Sequence, residues 1–125
     1  MPSKIRVLVV DDNTIWRTTL VEQLRRSGLK KIDVAYDGVQ AIFKARALNP
    51  DLVLMDVALP HKNGIEAAAE IHEAVPEAKI IFVSCSHEPA IKRAALQAGA
   101  SDFIGKSQVG SQLVDTIKLV LGIIP

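Results

Sequence analysis

Two adjacent aspartates, Asp11 and Asp12, follow directly on four apolar residues, Val7–Val10. A third, Asp56, follows the apolar run Leu52–Met55. Ser84 follows Ile80–Val83, and Lys106 follows Phe103–Ile104 after Gly105. If these runs are parallel strands of one sheet, their C-terminal ends share an edge. Three carboxylates, a hydroxyl and an ammonium then face one crevice, although they are spread along most of the chain. Open α/β sheets bind ligands on that edge, where the strand order reverses.

Two carboxylates about 4 Å apart repel by about 4 kcal/mol at an effective dielectric near 20, so three of them call for a cation or a proton. An all-oxygen set with few protein ligands and room for water suits Mg²⁺; Ca²⁺ takes more ligands. The sequence has no Cys/His cluster for zinc. With a cation in place, one carboxylate can serve as a nucleophile, as in aspartyl-phosphate formation. Lys106 can pair with one phosphoryl oxygen and Ser84 can donate to another. The chemistry is phosphoryl transfer onto the protein itself.

The elements that must position these groups are short apolar runs alternating with longer periodic segments. The runs are Ile5–Val10, Ile32–Ala35, Leu52–Met55, Ile80–Val83 and the weaker Phe103–Ile104. They are rich in Val, Ile and Leu and nearly continuous, as strands buried on both faces should be. Between them lie helix-spaced apolar sets. The first is Ile15, Thr19, Leu20 and Leu24, ending at Ser27-Gly28. The second is Val39, Ile42, Phe43 and Ala47, stopping before Asn49-Pro50. The third is Ile65, Ala68, Ala69, Ile71 and Val75, stopping at Pro76. The fourth is Ile91, Ala94, Ala95 and Ala98, ending at Gly99. The fifth is Leu113, Ile117, Val120 and Leu121. Five strand–helix alternations predict a parallel sheet with helices on both faces.

Composition narrows the class. The 125 residues fit one domain, able to bury enough surface to fold without a disulfide or metal. With 49% apolar and 23% charged residues, the chain is neither disordered nor a membrane protein. No apolar run approaches the roughly 20 residues that span a bilayer, and the N-terminus lacks signal-peptide features. A lone cysteine, Cys85, suits a reducing, cytoplasmic setting. The net charge of +1 shows no basic excess for nucleic acid.

These residues resemble the receiver domain of two-component response regulators, over residues 1–125. The matching pieces are Asp11-Asp12, the strand LVLMD ending in Asp56, the following ALPHKNG with Pro60 and Gly64, Ser84, and FIGK with Phe103 and Lys106. The resemblance implies a doubly wound flavodoxin-like (βα)5 fold, with five parallel strands in the order 2-1-3-4-5. It implies that Asp56 accepts a phosphoryl group from the phosphohistidine of a sensor histidine kinase. Asp12, Asp56 and the backbone carbonyl of Ala58 would bind Mg²⁺, with Asp11 acting mainly through a bound water. Lys106 and Ser84 would hold the phosphoryl oxygens. Ser84 and Phe103 would form the switch, the ring turning inward as the hydroxyl moves to the phosphate. The readout surface would be the fourth helix, fifth strand and fifth helix, open to a target or a second copy. Such a protein is a signalling switch rather than a turnover enzyme.

The chain also departs from the family pattern. Ser84 stands where threonine is more common, and Cys85 where a small residue leaves room for the phosphate. Ser107 follows Lys106 where the family commonly has a cis proline; without proline a cis bond costs about 2.5–4 kcal/mol. Ala58 is apolar at a position bordering the attacking water.

Plainer readings stand beside these. Asp-Asp-Asn-Thr before a helix is also a capping sequence. Asp37-Gly38 reads as a turn, Asp51 and Asp102 as structural groups on the opposite edge, and His61 and Lys62 as solvated loop residues. His72 and His87 have no ligand partners in sequence. Trp16 reads as a partly exposed side chain near the crevice, open to a partner. An aspartate-nucleophile phosphatase would carry a second Asp where Ala58 stands. The alternative from the binding class is a pseudo-receiver that works without phosphate. Ile123-Ile124-Pro125 reads as a linker start or a bare stop. Lys106 followed by Ser107, then Leu113–Leu121, resembles receivers that carry a helix-turn-helix DNA-binding domain, which implies a fragment or orphan receiver of that type; this chain itself is expected to bind no nucleic acid and no membrane.

Overall fold

The computed structural model describes residues 1–86 and 88–123. The readings of His87 and of Ile124-Pro125 lie outside the described residues. Five strands and five helices alternate: β1 (Arg6–Val10), α1 (Thr14–Arg26), β2 (Lys31–Ala35), α2 (Gly38–Leu48), β3 (Leu52–Met55), α3 (Gly64–Ala74), β4 (Lys79–Ser84), α4 (Pro89–Gln97), β5 (Asp102–Gly105) and α5 (Val109–Leu121). A single 3₁₀ turn, Lys106–Gln108, links β5 to α5. The strands form one parallel sheet in the order β2-β1-β3-β4-β5. β4 and β5 extend one residue beyond their apolar runs at each end, so Ser84 is the last residue of β4 and Asp102 the first of β5.

Alternation along each strand divides the core into two layers. Leu8, Val10, Val53, Met55, Ile80 and Phe82 face α2, α3 and α4. Val7, Val9, Leu52, Leu54, Ile81 and Val83 face α1 and α5. Leu8, Leu54 and Phe82 are wholly buried, and each such side chain contributes about 1.5–3 kcal/mol of hydrophobic stabilisation. The helix stops follow local chemistry. Asn49 and Gly28 adopt left-handed conformations after α2 and α1, and Gly99 does so after α4.

Two details differ from the sequence reading. Asp37-Gly38 is not a free turn: Asp37 is the N-cap of α2, its carboxylate accepting from Gln40 N at 2.7 Å, and Gly38 opens the helix. Ile15, Val39 and Phe43 point to solvent, although their spacing placed them on inward faces. The inward face of α2 is instead Gly38, Ala41, Ile42 and Ala45. Every peptide bond among the described residues is trans, Lys106–Ser107 included.

Candidate functional site

The chain reverses direction across the sheet between β1 and β3. After β1 it winds outward to β2, and then crosses back to β3 on the other side. The register pairs Val10 with Met55, the last residue of each strand. The next residues, Asp11 and Asp56, therefore emerge side by side. Backbone bonds fix both: Asp56 N donates to Val10 O at 3.0 Å, and Asp11 N to Ala35 O at 3.2 Å.

Lys106 arrives from farther away. Two inter-strand steps of about 4.8 Å separate β5 from β3, and the long lysine stem covers the span. Its ammonium donates to Asp11 Oδ2 at 2.8 Å and to Asp56 Oδ2 at 3.1 Å. Lys106, Asp11 and Asp56 are all buried, whereas Asp12 is exposed. Ligand oxygens of Asp11, Asp12 and Asp56 lie within 4.8 Å of one another. Four of the predicted residues are thus brought together.

The remaining atoms of the cluster are anchored locally. Asp11 Oδ1 accepts from Asn13 N at 2.9 Å, while Asp56 Oδ1 accepts from Ala58 N at 3.3 Å. Asn13 also caps α1 through Trp16 N at 3.0 Å. Capping is therefore present as well, but its principal residue is Asn13, which leaves Asp12 free for the crevice. Arg17 donates to the backbone carbonyl of Asp11 at 2.8 Å and lies 4.3 Å over the Tyr36 ring. It ties α1 to the end of β1 without touching the carboxylates.

Three carboxylates and one ammonium leave the cluster two negative charges in surplus. Burial pushes the Asp56 carboxyl above its ordinary value, Lys106 pulls it back, and Asp11 adds to the rise. Burial works against the Lys106 ammonium, but the bonds from Asp11 and Asp56 outweigh it and raise its pKa. A surplus of this size and an all-oxygen donor set fit one divalent cation of the Mg²⁺ class.

Ser84 and Phe103 stand outside this cluster. Ser84 is buried at the end of β4, and its hydroxyl accepts from Ser86 N at 3.2 Å. Phe103 is half-buried on the face of the sheet that packs against α2, α3 and α4, its ring centroid 6.3 Å from that of Phe82. Cys85 is exposed.

The β3–α3 loop, which carries Ala58, is pinned against α2. His61, in a left-handed conformation, bonds Asp37 Oδ2 at 2.8 Å. Lys62 pairs with Glu70. A side chain at Gly38 would meet the Lys62 carbonyl at 2.0 Å, and one at Gly64 would meet the Asp56 carbonyl at 2.1 Å. Sequence reasoning left His61 and Lys62 as solvated loop residues, and neither partner lies near enough in sequence to signal the contact. It also left unseen that the Lys106 ammonium lies 5.1 Å from the Trp16 ring centroid.

Comparisons with known proteins agree with this architecture. The family model for the response regulator receiver domain matches residues 7–118. The chemotaxis protein CheY of Thermotoga maritima is 38% identical over 115 residues, covering 92% of this chain and 96% of that one. The response regulator GacA of Pseudomonas viridiflava is 38% identical over 117 residues, covering 93% of this chain but 55% of GacA. This chain thus spans about half the length of that relative. The crystal structure of the response regulator domain of T. maritima CheB superposes with a TM-score of 0.83 at 35% identity, covering 97% of this chain and 98% of that domain. A CheX–CheY–BeF₃–Mg²⁺ complex from Borrelia burgdorferi gives a TM-score of 0.86 at 28% identity, covering 93% of this chain and 88% of that one. Among the described residues, no helix is long and apolar enough to cross a membrane.

Proposed function

The chain belongs to the response regulator receiver family, and on that premise we propose that Asp56 is its phospho-acceptor. The observation that carries this reading is the Lys106 ammonium shared between Asp56 and Asp11, with Asp12 alongside and two negative charges uncompensated. A carboxylate oxygen of Asp56 forms a bond to phosphorus as the bond from phosphorus to the donor histidine nitrogen breaks. The imidazole leaves, and an acyl phosphate remains on Asp56. Water later attacks phosphorus, releasing inorganic phosphate and restoring the carboxylate. Lys106 moves its hydrogen bond from Asp56 to a phosphoryl oxygen, and Ser84 donates to another. Asp12, Asp56 and the Ala58 carbonyl, with Asp11 acting through a bound water, would hold Mg²⁺, which would supply charge neutralisation for the transferred phosphoryl group.

The switch runs through Ser84 and Phe103. The Ser84 hydroxyl accepts from the Ser86 amide and keeps its own proton to donate to the phosphate, and Phe103 adjusts its half-buried packing on Phe82. Phosphate makes contacts that only one of the two states offers, so it shifts their populations. Residues 1–125 act as one receiver domain whose α4–β5–α5 surface carries the output to a target or a second copy. The resemblance of Lys106-Ser107 and Leu113–Leu121 to receivers that carry a helix-turn-helix domain implies transcriptional output through a DNA-binding domain outside this chain, and the cytoplasm is the setting in which kinase and switch meet.

The test is intact-mass spectrometry after incubation with acetyl phosphate, with and without Mg²⁺, on wild type and Asp56→Ala. One phosphoryl adduct is expected, dependent on both Mg²⁺ and Asp56. No adduct on a folded wild type would move the chain to the phosphate-independent reading.

A further inference from the structure

Trp16 is the single tryptophan of the chain, and it stands one turn into α1. Asn13 fixes its backbone by capping, and the indole is half-buried against the α1–α5 layer. Its ring centroid lies 5.1 Å from the Lys106 nitrogen, within the range at which an ammonium is attracted by an aromatic face. An ammonium has three donors. Here two go to Asp11 and Asp56, and the indole supplies a further, non-directional contact.

We propose that Trp16 is a positioning residue, whose indole face holds the Lys106 ammonium at the crevice while that ammonium exchanges Asp56 for a phosphoryl oxygen. The inference rests on the phospho-acceptor reading above. The physical reason lies in the difference between the two kinds of contact. A hydrogen bond to Asp56 Oδ2 is lost as soon as the nitrogen moves. Attraction to a ring face changes little over a displacement of an ångström, so it persists through the exchange. An aliphatic residue at position 16 would cover the stem of Lys106 but exert no such pull.

Two measurements test this. The first follows phosphorylation by acetyl phosphate at saturating Mg²⁺ in wild type, Trp16→Phe and Trp16→Leu, with melting temperatures recorded alongside. The expected result is a rate about two- to five-fold lower in Trp16→Leu, as loss of a cation–π contact would give. Trp16→Phe, which keeps a weaker ring face, should fall between. Equal rates in all three proteins, or equal losses in the Phe and Leu variants, would overturn the proposal. The second needs no change at Trp16. Its emission is compared between wild type and Lys106→Met, and in wild type before and after adding beryllofluoride with Mg²⁺. Emission that differs between wild type and Lys106→Met, and that in wild type does not move to the Lys106→Met spectrum when beryllofluoride and Mg²⁺ are added, supports the contact and its persistence through the exchange; a shift to the Lys106→Met spectrum refutes the persistence. A spectrum unaltered in Lys106→Met refutes the contact itself. If the wild type forms no adduct at all, the phospho-acceptor reading fails first, which separates the two failures.

Discussion

Replacing Lys106 with methionine tests the charge balance of the crevice directly. Methionine fills a similar volume but leaves Asp11 and Asp56 facing each other with no shared cation. Their ligand oxygens lie within 4.8 Å, and at an effective dielectric near 20 two unit charges at that separation repel by about 3.5 kcal/mol. The variant can escape by protonating one carboxylate. At pH 7 that costs about 4 kcal/mol for a group with an ordinary pKa near 4 and less for Asp56, whose carboxyl burial already raises, so protonation caps the loss. The loss of stability at pH 7 without divalent cations should therefore be about 3 kcal/mol, the low end for breaking a buried pair. For a chain of this size, at roughly 3–5 °C per kcal/mol, that is a fall in melting temperature of about 10 °C.

The pH dependence follows from the same charges. Burial already raises the Asp56 carboxyl above 3.8, and Lys106 opposes the rise. Between the unfolded and the raised folded value the native state binds more protons than the unfolded one, so stability falls as pH rises through that window. Removing Lys106 lifts the folded value further and widens the window upward. The gap between variant and wild type should shrink on going from pH 7 to pH 5. Mg²⁺ should raise the melting temperature of both, and of the variant more, because its cluster carries the larger surplus. Saturation at a hundredfold over Kd is worth about 2.7 kcal/mol. Thermal unfolding followed by circular dichroism, in chelator and in Mg²⁺, measures all of this. A variant melting within 3 °C of wild type in chelator at pH 7, or gaining less from Mg²⁺ than wild type does, would refute the reasoning.

Two further substitutions probe the loop beside Asp56. Gly64→Ala would place a Cβ 2.1 Å from the Asp56 carbonyl and 2.9 Å from Val57 Cα. Both are backbone atoms, so the loop must move; a loss of about 1–3 kcal/mol in urea unfolding is expected, with slower phosphorylation by acetyl phosphate. Asp37→Ala removes the α2 cap and the His61 contact, for about 1 kcal/mol at pH 7. The bond from Gln40, with His61 adding to it, holds the Asp37 carboxyl below its ordinary value. Its contribution is therefore present above pH 3.8 and lost as pH falls through the lowered value, so urea midpoints of variant and wild type should converge in acid.

The strands were legible because three of them are buried on both faces and read as unbroken apolar runs. The inward faces of the helices were less so. On α2 the periodic apolar set Val39, Ile42, Phe43 and Ala47 was counted by hydrophobicity, but the residues packed in the core are Ala41, Ile42 and Ala45, two of them small. Close approach of helix to sheet selects for size, which a hydrophobic period does not register. Among site residues, Asp11, Asp12, Asp56 and Lys106 could be named because each follows a strand, and strand ends are what the fold brings together. The Trp16–Lys106 contact, the Arg17 tether and the His61–Asp37 pair join side chains across loops, where nothing in the local sequence marks the partner.

The same distinction explains why the acidic cluster stays in place with two charges unbalanced. Asp11 and Asp56 are held by backbone bonds from the ends of β1 and β3 and by the pairing of Val10 with Met55. Their repulsion cannot push them apart without breaking the central ladder of the sheet. It can be relieved only by something that enters the crevice: the Lys106 ammonium, a proton, or a divalent cation. Lys106 comes from β5, on a long side chain and a one-turn 3₁₀ segment. It is the one member of the cluster that can change partners without unfolding a strand. A rigid acidic pair and a mobile cation give the site a resting state in which the lysine occupies part of the space an incoming anion needs. On the proposed reading, arrival of a phosphoryl group would have to move Lys106, and that movement would couple Asp56 chemistry to the turn leading into α5.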